Sequence, residues 1–308
     1  MSKIDFCSLI LPQRMRRRLQ ESGIENDDDL LAAGSSFMVE AGLVLERRRD
    51  ASVFTFHTAL DNLKQSDNFQ RIATWVPSID AMLDGGIPRR KIIEVTGAAG
   101  TGKTQFCMQV AASNELSNKS AVYIDSKGGF TTARYREILS GISKRQGCAV
   151  PSGGAGLRYS LCDSWQQLVS MLCLLPDEIK SCDVREEIAL VVLDCFDFHL
   201  RNQLEDPRER KKVVSGLTQR LVEIAKCGAA VLITNHLSMR PSHNDASTLL
   251  LAPALGQAFG HECAYRATFT EDDGLHQAVF YKAPTFGRTV VPFRIQSDGI
   301  VEETDALF

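Results

Sequence analysis

The chain has 308 residues, of which 44% are apolar, enough for one sizeable α/β domain and a small additional domain. Its formal charge of −3 excludes a global attraction to nucleic acid, so any such contact requires local basic patches. The longest apolar runs are too short to span a bilayer, and we expect no membrane segment. Nine cysteines, with no CxxC pair and no zinc-ligand spacing, predict reduced thiols in the cytosol or nucleus.

The first 50 residues predict a small helical domain. Leu11, Met15 and Leu19 recur on one face of a helix, and four arginines between positions 14 and 18 surround the rest. The arginine run is most simply a solvated helix face, with contact to DNA or a partner as the alternative. Periodicity fades over residues 51–70, which we interpret as an interdomain linker.

From residue 71 to the C-terminus, strand-like and helix-like segments alternate, which predicts a mostly parallel sheet. The predicted strands are 92–95, 121–125, 159–162, 189–194 and 230–234, followed by 266–270, 277–282 and 291–295. The predicted helices are 103–116, 131–142 and 208–226. The short turns between the last three strands favour an antiparallel extension of the sheet.

A glycine-rich segment follows the first strand of this region. It reads Gly97, Ala98, Ala99, Gly100, Thr101, Gly102, Lys103, Thr104 and satisfies GxxxxGK[ST]. In such a loop the glycines let backbone N–H groups face phosphate, the lysine reaches the β- and γ-phosphates, and the threonine hydroxyl binds Mg²⁺. The motif and its strand and helix flanks predict an ATP-binding phosphate loop rather than a plain glycine-rich turn.

A second acidic group is expected beside the Mg²⁺ ion at the end of a buried strand. Asp194 ends the apolar run 190–193 and fits this role through a bound water. The alternative is an aspartate that caps the segment after the strand.

Separated motifs beyond the phosphate loop resemble those of the RecA/RadA strand-exchange recombinases, and in particular their eukaryotic paralogues. They are the entry segment 78–87, Thr104-Gln105, the strand 123–126, Thr234-Asn235 and the segment 253–256. Among paralogues the chain is most similar to the D-type, through Asp125-Ser126, Gly128-Gly129 and His236. The resemblance implies an α/β RecA-like ATPase core at 71–308, behind the helical domain 1–50 and the linker 51–70.

Two positions depart from the pattern of active recombinases. The resemblance places a water-orienting glutamate where this chain has Lys127, and a protonated lysine cannot accept a proton. Unless Asp125 substitutes, we expect ATP to be bound tightly and hydrolysed slowly. The γ-phosphate-sensing glutamine of the family is here His236, which can still donate to phosphate; the alternative is a residue that only completes the strand end.

The resemblance also assigns roles to the phosphate-loop neighbour Gln105 and to residues outside the loop. Arg134 would stack on adenine, with a surface salt bridge as the alternative. Lys282 would reach a phosphate across a subunit interface. In the linker, Phe56 and Ala59 resemble the Phe-x-x-Ala strand that plugs into a neighbouring subunit, although a linker that packs on its own domain is also possible.

Two segments correspond to the family's DNA-binding loops, at about 201–212 and 238–252. The basic residues that they contribute are Arg201, Arg208, Arg210, Lys211, Lys212 and Arg240. The first segment is equally interpreted as a solvated helix start. Without a pair of stacking aromatics, we expect weak binding to single-stranded DNA by the chain alone.

These observations predict a nuclear, ATP- and Mg²⁺-binding recombination mediator that joins other paralogue subunits and stabilises a recombinase filament on single-stranded DNA. The alternatives are a catalytic, DNA-dependent ATPase that forms its own filaments, and a scaffold whose nucleotide site is vestigial.

Overall fold

The computed structural model describes residues 71–150, 156–183, 186–241, 249–284 and 287–303. The chain divides into two units, Met1–Ser66 and Asp67–Phe308, and every described residue belongs to the second. The predicted helical domain 1–50 and the linker 51–70 therefore lie outside the described residues and stay predictions.

From residue 77 to residue 194, helices and strands alternate as the sequence predicts. They are α1 (Pro77–Met82), β1 (Ile92–Gly97), α2 (Lys103–Leu116), β2 (Ser120–Asp125), α3 (Thr132–Gln146), β3 (Leu157–Leu161), α4 (Trp165–Ser181) and β4 (Ile188–Asp194). The elements that follow are α5 (Asp197–Gln203), α6 (Pro207–Lys226), β5 (Ala230–Asn235), β6 (Leu237–Pro241), β7 (Leu249–Pro253), α7 (Gly256–Glu262), β8 (Cys263–Asp272), β9 (Leu275–Lys282), β10 (Thr289–Gln296) and β11 (Gly299–Glu302).

Nine of the described strands form one sheet in the order β11-β10-β9-β8-β1-β5-β4-β2-β3. The pairs from β8 through β3 are parallel, and β9, β10 and β11 extend the sheet antiparallel. This arrangement confirms the predicted α/β class, its mostly parallel sheet and its antiparallel extension. Because parallel strands share one direction, the carboxyl ends of β1, β2, β4 and β5 lie along the same edge.

The sheet is buried on both faces, as the continuous apolar runs require. Along β4, Leu190 and Val192 enter one apolar cluster, with residues of α1, α2 and α3. Val191 and Leu193 enter a second cluster, with residues of α4, α5 and α6. This alternation fixes the rotation of β4, and with it the direction in which Asp194 emerges at the strand end.

Helix α4 is not among the predicted elements, and Pro176 lies inside it. The helix forms nonetheless, since Ser164 caps its N-terminus by accepting from the backbone N–H of Gln167 at 3.2 Å. Leu168, Leu172 and Leu175 then bury one face. The segment predicted as a second DNA loop contains an antiparallel pair, β6 with β7.

Candidate nucleotide-binding site

The phosphate-loop sequence joins β1 to α2 at the carboxyl edge of the sheet. Gly97, Gly100 and Gly102 have positive φ values of 155°, 86° and 90°, conformations that other residues adopt only at a cost. A side chain at Gly97 would also bring its Cβ to 2.4 Å from the carbonyl oxygen of Phe269. The loop is thus shaped by its glycines and held against β8.

Helix α2 begins at this loop in a way that suits an anion. Gly102, its N-cap residue, offers no side-chain acceptor, and the first turn contains no acidic residue. The first backbone N–H groups of a helix have no partner inside the helix, and the helix dipole favours negative charge there. The exposed residues Ala98, Ala99 and Gly100 leave the approach open.

The side chain of Lys103 bends back over the loop. Its Nζ donates to the carbonyl oxygens of Gly97 at 3.0 Å and Ala98 at 2.5 Å, and the Thr101 hydroxyl donates to Ala98 at 2.9 Å. Burial lowers the pKa of Lys103, while Asp194 raises it and Lys127 lowers it further. The sequence-predicted residues Asp194 and Lys127 therefore both lie within electrostatic range of Lys103.

Asp194 ends β4 beside this lysine and is held on both carboxylate oxygens. The Thr234 hydroxyl donates to Oδ1 at 2.5 Å, and the Tyr123 hydroxyl donates to Oδ2 at 2.9 Å. Burial, followed by the charge of Asp194, raises the pKa of Tyr123 well above its usual value. Tyr123 and Thr234 fix the orientation of a carboxylate that could hold a Mg²⁺-bound water.

The hydrogen-bond acceptor positions of Asp125, at the end of β2, are filled mainly by the loop that follows the strand. Its Oδ1 accepts the backbone N–H groups of Lys127 and Gly128, and its Oδ2 accepts that of Phe130, each at 2.9 Å. The hydroxyl of Tyr159 adds a contact at 3.4 Å. Four donors occupy a carboxylate that has about four acceptor positions. Asp125 therefore anchors the 126–130 loop.

Lys127 projects from that loop toward the end of β5. Its Nζ lies 3.3 Å from Nε2 of His236 and 5.5 Å from the ring centre of Phe198. On its other side, His236 Nδ1 lies 3.0 Å from Oδ1 of the buried Asp197, which also accepts the backbone N–H of His236 at 3.1 Å. The two positions that depart from the recombinase pattern are thus in direct contact.

Cys195 completes this group, which the sequence analysis did not assemble. Its Sγ donates to Asp197 Oδ1 at 2.8 Å and lies 3.2 Å from His236 Nδ1. Burial, followed by the charge of Asp197, raises the pKa of Cys195 far above its usual value, so the sulfur keeps its proton. By residue type, Cys195, Asp197 and His236 could also hold a metal ion, although their spacing along the chain gave no such signal.

Arg134 and Gln105 connect the phosphate-loop helix to the antiparallel part of the sheet. Arg134 Nε donates to Oε1 of Gln105 at 2.7 Å, and its two Nη atoms donate to the carbonyl oxygens of Gln296 and Ser297. A salt bridge to Glu137 at 3.0 Å completes the set. The guanidinium edge is thereby occupied, and the stacking of Arg134 on adenine stays a prediction.

Five of the six basic residues predicted to contact DNA lie on two helices. Arg201 is in the last turn of α5, where its Nη1 pairs with Asp197 Oδ2 at 3.3 Å. The other four lie in the first two turns of α6, which Asp206 caps: Arg208, Arg210, Lys211 and Lys212. This capped helix start matches the alternative interpretation of the segment 201–212, a solvated helix start rather than a DNA-binding loop. Arg240 lies in β6.

The residues predicted to contact other subunits are only partly described. Lys282 Nζ donates to the carbonyl oxygens of Gly260 and His261 at 2.8 and 3.0 Å, at the end of α7. This arrangement complements the negative end of the helix within the chain itself. Phe56 and Ala59 lie outside the described residues.

A buried ionic group under the site was not apparent from the sequence. Glu94 lies inside β1, accepts from Asn235 Nδ2 at 2.8 Å and pairs with Arg266 Nε at 2.5 Å. The sequence does contain one indication of it, since Glu94 is an acidic residue in a mostly apolar strand. Such a residue predicts a buried ion pair, because a buried charge requires a partner. The group joins β1, β5 and β8 directly behind the phosphate loop.

The comparison with known protein families decides which kind of phosphate-loop protein this is. The family model described as Rad51 matches residues 65–303, which include every described residue. The chain belongs to the Rad51 family. This confirms the recombinase resemblance, and proteins of the RecA/Rad51 family bind ATP, typically with Mg²⁺.

Three relatives illustrate where this Rad51-family chain stands. It is 29% identical over 267 residues to DNA repair protein RAD51 homolog 3 of Cricetulus griseus, which covers 79% of the chain and 71% of the relative. The Dictyostelium discoideum protein of the same name is 27% identical over 265 residues, with 79% and 68% covered. DNA repair and recombination protein RadA of Metallosphaera sedula is 28% identical over 235 residues, with 72% and 70% covered.

The residues of this Rad51-family chain fit a nucleotide with its metal. The uncapped start of α2, the glycine loop and Lys103 offer donors to phosphate, while Thr104 and Asp194 offer oxygen to Mg²⁺. Of the described helices, none combines the length and the apolarity that crossing a membrane requires.

Proposed function

We propose that this chain is a nuclear recombination mediator in DNA double-strand break repair, which binds ATP and Mg²⁺ and hydrolyses ATP slowly or not at all. It acts within a hetero-oligomer of recombinase paralogues and promotes or stabilises the recombinase filament on single-stranded DNA. Membership of the Rad51 family and the names of the relatives support the repair role. The observation that carries the slow hydrolysis is the occupation of Asp125 beside Lys127.

Hydrolysis requires a group that accepts a proton from the attacking water or orients that water. Lys127 is a donor when protonated, and Asp125 has its acceptor positions filled by its own loop. Asp197 is likewise filled by Cys195, His236 and Arg201. Nucleotide binding is thereby favoured over turnover, and bound ATP would serve to stabilise assembly.

The nucleotide residues in this proposal are those of the loop 97–104 with Gln105, Arg134 and His236, and Mg²⁺ would be held by Thr104 and, through water, by Asp194. The basic residues of α5 and α6 supply weak contact with single-stranded DNA. The linker residues Phe56 and Ala59, together with Lys282, supply subunit contacts. Relatives named as DNA repair proteins support the nuclear location.

Equilibrium binding and steady-state turnover test this proposal together. The full chain, purified with its associated subunits, is assayed with ATP and Mg²⁺, with and without single-stranded DNA. We expect saturable ATP binding that Lys103→Ala weakens about 10- to 100-fold, since a charge-assisted phosphate contact is lost. Lys144→Ala, the same change at an exposed lysine of α3, serves as the control and leaves the affinity unchanged.

Turnover separates the mediator from a catalytic recombinase. We expect hydrolysis at the background of the Lys103→Ala preparation, with no stimulation by DNA and no long filaments of the chain alone. Robust DNA-stimulated turnover with self-assembled filaments would refute the mediator role. Unchanged subunit binding by Lys103→Ala would instead indicate a scaffold with a vestigial site.

A further inference from the structure

The contact between Lys127 and His236 fixes which atoms carry protons. An ammonium group only donates, so Nε2 of His236, 3.3 Å from Lys127 Nζ, must present its lone pair. The proton of the neutral ring then lies on Nδ1, which donates to Asp197 Oδ1 at 3.0 Å. In this arrangement both ring nitrogens of His236 are engaged, so His236 would act on a phosphate through the positively charged Lys127 rather than by donating to it.

That charge has no anionic partner in the described part of the chain. No described carboxylate forms an ion pair with Lys127, and its other close contact is the face of Phe198. Lys103 similarly donates to backbone carbonyl oxygens rather than to a carboxylate. The end of β4 therefore has two ammonium groups near a single carboxylate, that of Asp194, and neither lysine forms an ion pair with a described carboxylate.

The loop that carries Lys127 also lies against the start of α2. A Cβ built on Gly129 would lie 3.6 Å from both Cγ2 and Oγ1 of Thr104, the residue that follows Lys103. Placing two positive charges near each other is unfavourable unless anions offset them, and Asp194 alone offsets only one of the two. A terminal phosphate that lies on the phosphate loop is an anion of the required charge, and it has oxygens enough to accept from both lysines.

The neighbouring cysteine, aspartate and histidine do not reverse this conclusion. Although Cys195, Asp197 and His236 could bind a metal by residue type, Lys127 contacts the histidine and Arg201 pairs with the aspartate at 3.3 Å. A divalent cation would add positive charge between these two cations. The surroundings of the cluster favour an anion.

We infer that Lys127 is a ligand of the terminal phosphate, held in place by His236, and that it makes the site selective for nucleoside triphosphate over diphosphate. This inference rests on the proposed function and specifies the nucleotide state that the site retains. A contact made with ground-state ATP strengthens binding without favouring the transition state of hydrolysis. Lys127, at the position of the family's water-orienting glutamate, would thus favour the retention of bound ATP over its hydrolysis.

The test compares the affinities of ATP and ADP, each with Mg²⁺, for the full chain and its Lys127→Met variant. We expect the wild type to prefer ATP and Lys127→Met to lose about tenfold or more in ATP affinity, the size expected for one charge-assisted contact. ADP affinity should change less than about twofold, because the missing phosphate leaves Lys127 without a ligand. Lys127→Arg should retain most of the preference, and Lys144→Ala should retain all of it.

The outcomes distinguish the two claims. Equal losses of ATP and ADP affinity in Lys127→Met, or no loss of either, would overturn the selectivity while leaving ATP binding intact. A wild type that binds neither nucleotide would remove the proposed ATP-binding function, and this inference with it. Thermal unfolding of Lys127→Met near the wild-type temperature, expected for an exposed side chain, confirms that affinities are compared between folded proteins.

Discussion

The carboxylate of Asp197 holds His236 at two points, with Oδ1 lying 3.0 Å from Nδ1 and 3.1 Å from the backbone nitrogen. The same oxygen accepts the Cys195 thiol, while Oδ2 pairs with Arg201. Burial raises the pKa of Asp197, but the hydrogen bonds from His236 and Cys195 outweigh burial, and the net pKa is lowered. One buried carboxylate at the start of α5 therefore joins the end of β5 to the last turn of α5.

Replacing that carboxylate should destabilise the fold. In Asp197→Ala, the His236 ring, its backbone N–H and the Cys195 thiol lose their common acceptor in a buried location. We expect a loss of about 2–4 kcal/mol in the free energy of unfolding, measured by urea denaturation. Asp177→Ala, which removes an exposed carboxylate on α4, should cost less than about 0.5 kcal/mol. Equal losses in the two variants would contradict the anchoring role of Asp197.

The glycines of the phosphate loop offer a matched pair of substitutions. Both Gly97 and Gly100 have positive φ, so alanine at either position is strained by about 1–3 kcal/mol. Alanine at Gly97 would also place Cβ 2.4 Å from the backbone oxygen of Phe269, whereas alanine at Gly100 meets nothing within 4 Å. We expect Gly97→Ala to lower the free energy of unfolding clearly more than Gly100→Ala, measured by urea denaturation. A smaller loss at Gly97 would show that β8 can move away from the loop.

Sequence patterns predicted the parts of this protein that are determined by residues close together in the chain. The strand β4 was evident because it is apolar throughout, and the phosphate loop because its glycines, lysine and threonine each have a fixed role. The contact of Lys127 with His236 was not predictable, because 109 positions separate the two residues. They follow β2 and β5, which are not neighbours in the sheet, and they meet across the end of β4. Only the strand order determines that meeting.

The buried ion pair of Glu94 and Arg266 behaves differently from surface pairs. Glu94 is fully buried and Arg266 nearly so, which means that removing one charge leaves the other without compensation. We expect Glu94→Gln to cost about 3–5 kcal/mol in the free energy of unfolding. Glu178→Gln, which weakens the exposed pair with Arg158, should cost at most about 1 kcal/mol. Thermal and urea unfolding of both variants measure the difference, and similar losses would show that the Glu94 site rehydrates.

At the opposite edge of the sheet, Glu187 joins segments that precede three strands. It pairs with Arg89 before β1 and with Lys119 before β2, and it stands itself just before β4. Burial raises the pKa of Glu187, but hydrogen bonds from Lys119 and Arg89 outweigh burial, so the net pKa lies below its usual value. A lowered pKa in the folded state means that the charged form stabilises the fold.

The sign of this effect sets its dependence on pH. The contribution of Glu187 should be complete above the unfolded-state pKa of about 4.3 and should disappear as pH falls through the lower folded-state pKa. We expect Glu187→Gln to be less stable than the wild type by about 1 kcal/mol at pH 7, a modest value because the pair is partly solvated. The difference should shrink as pH falls below the unfolded-state pKa and should close once the wild-type carboxyl is protonated in the folded state. Urea denaturation over a series of decreasing pH values measures it, and a constant difference would mean that the substitution acts through packing rather than charge.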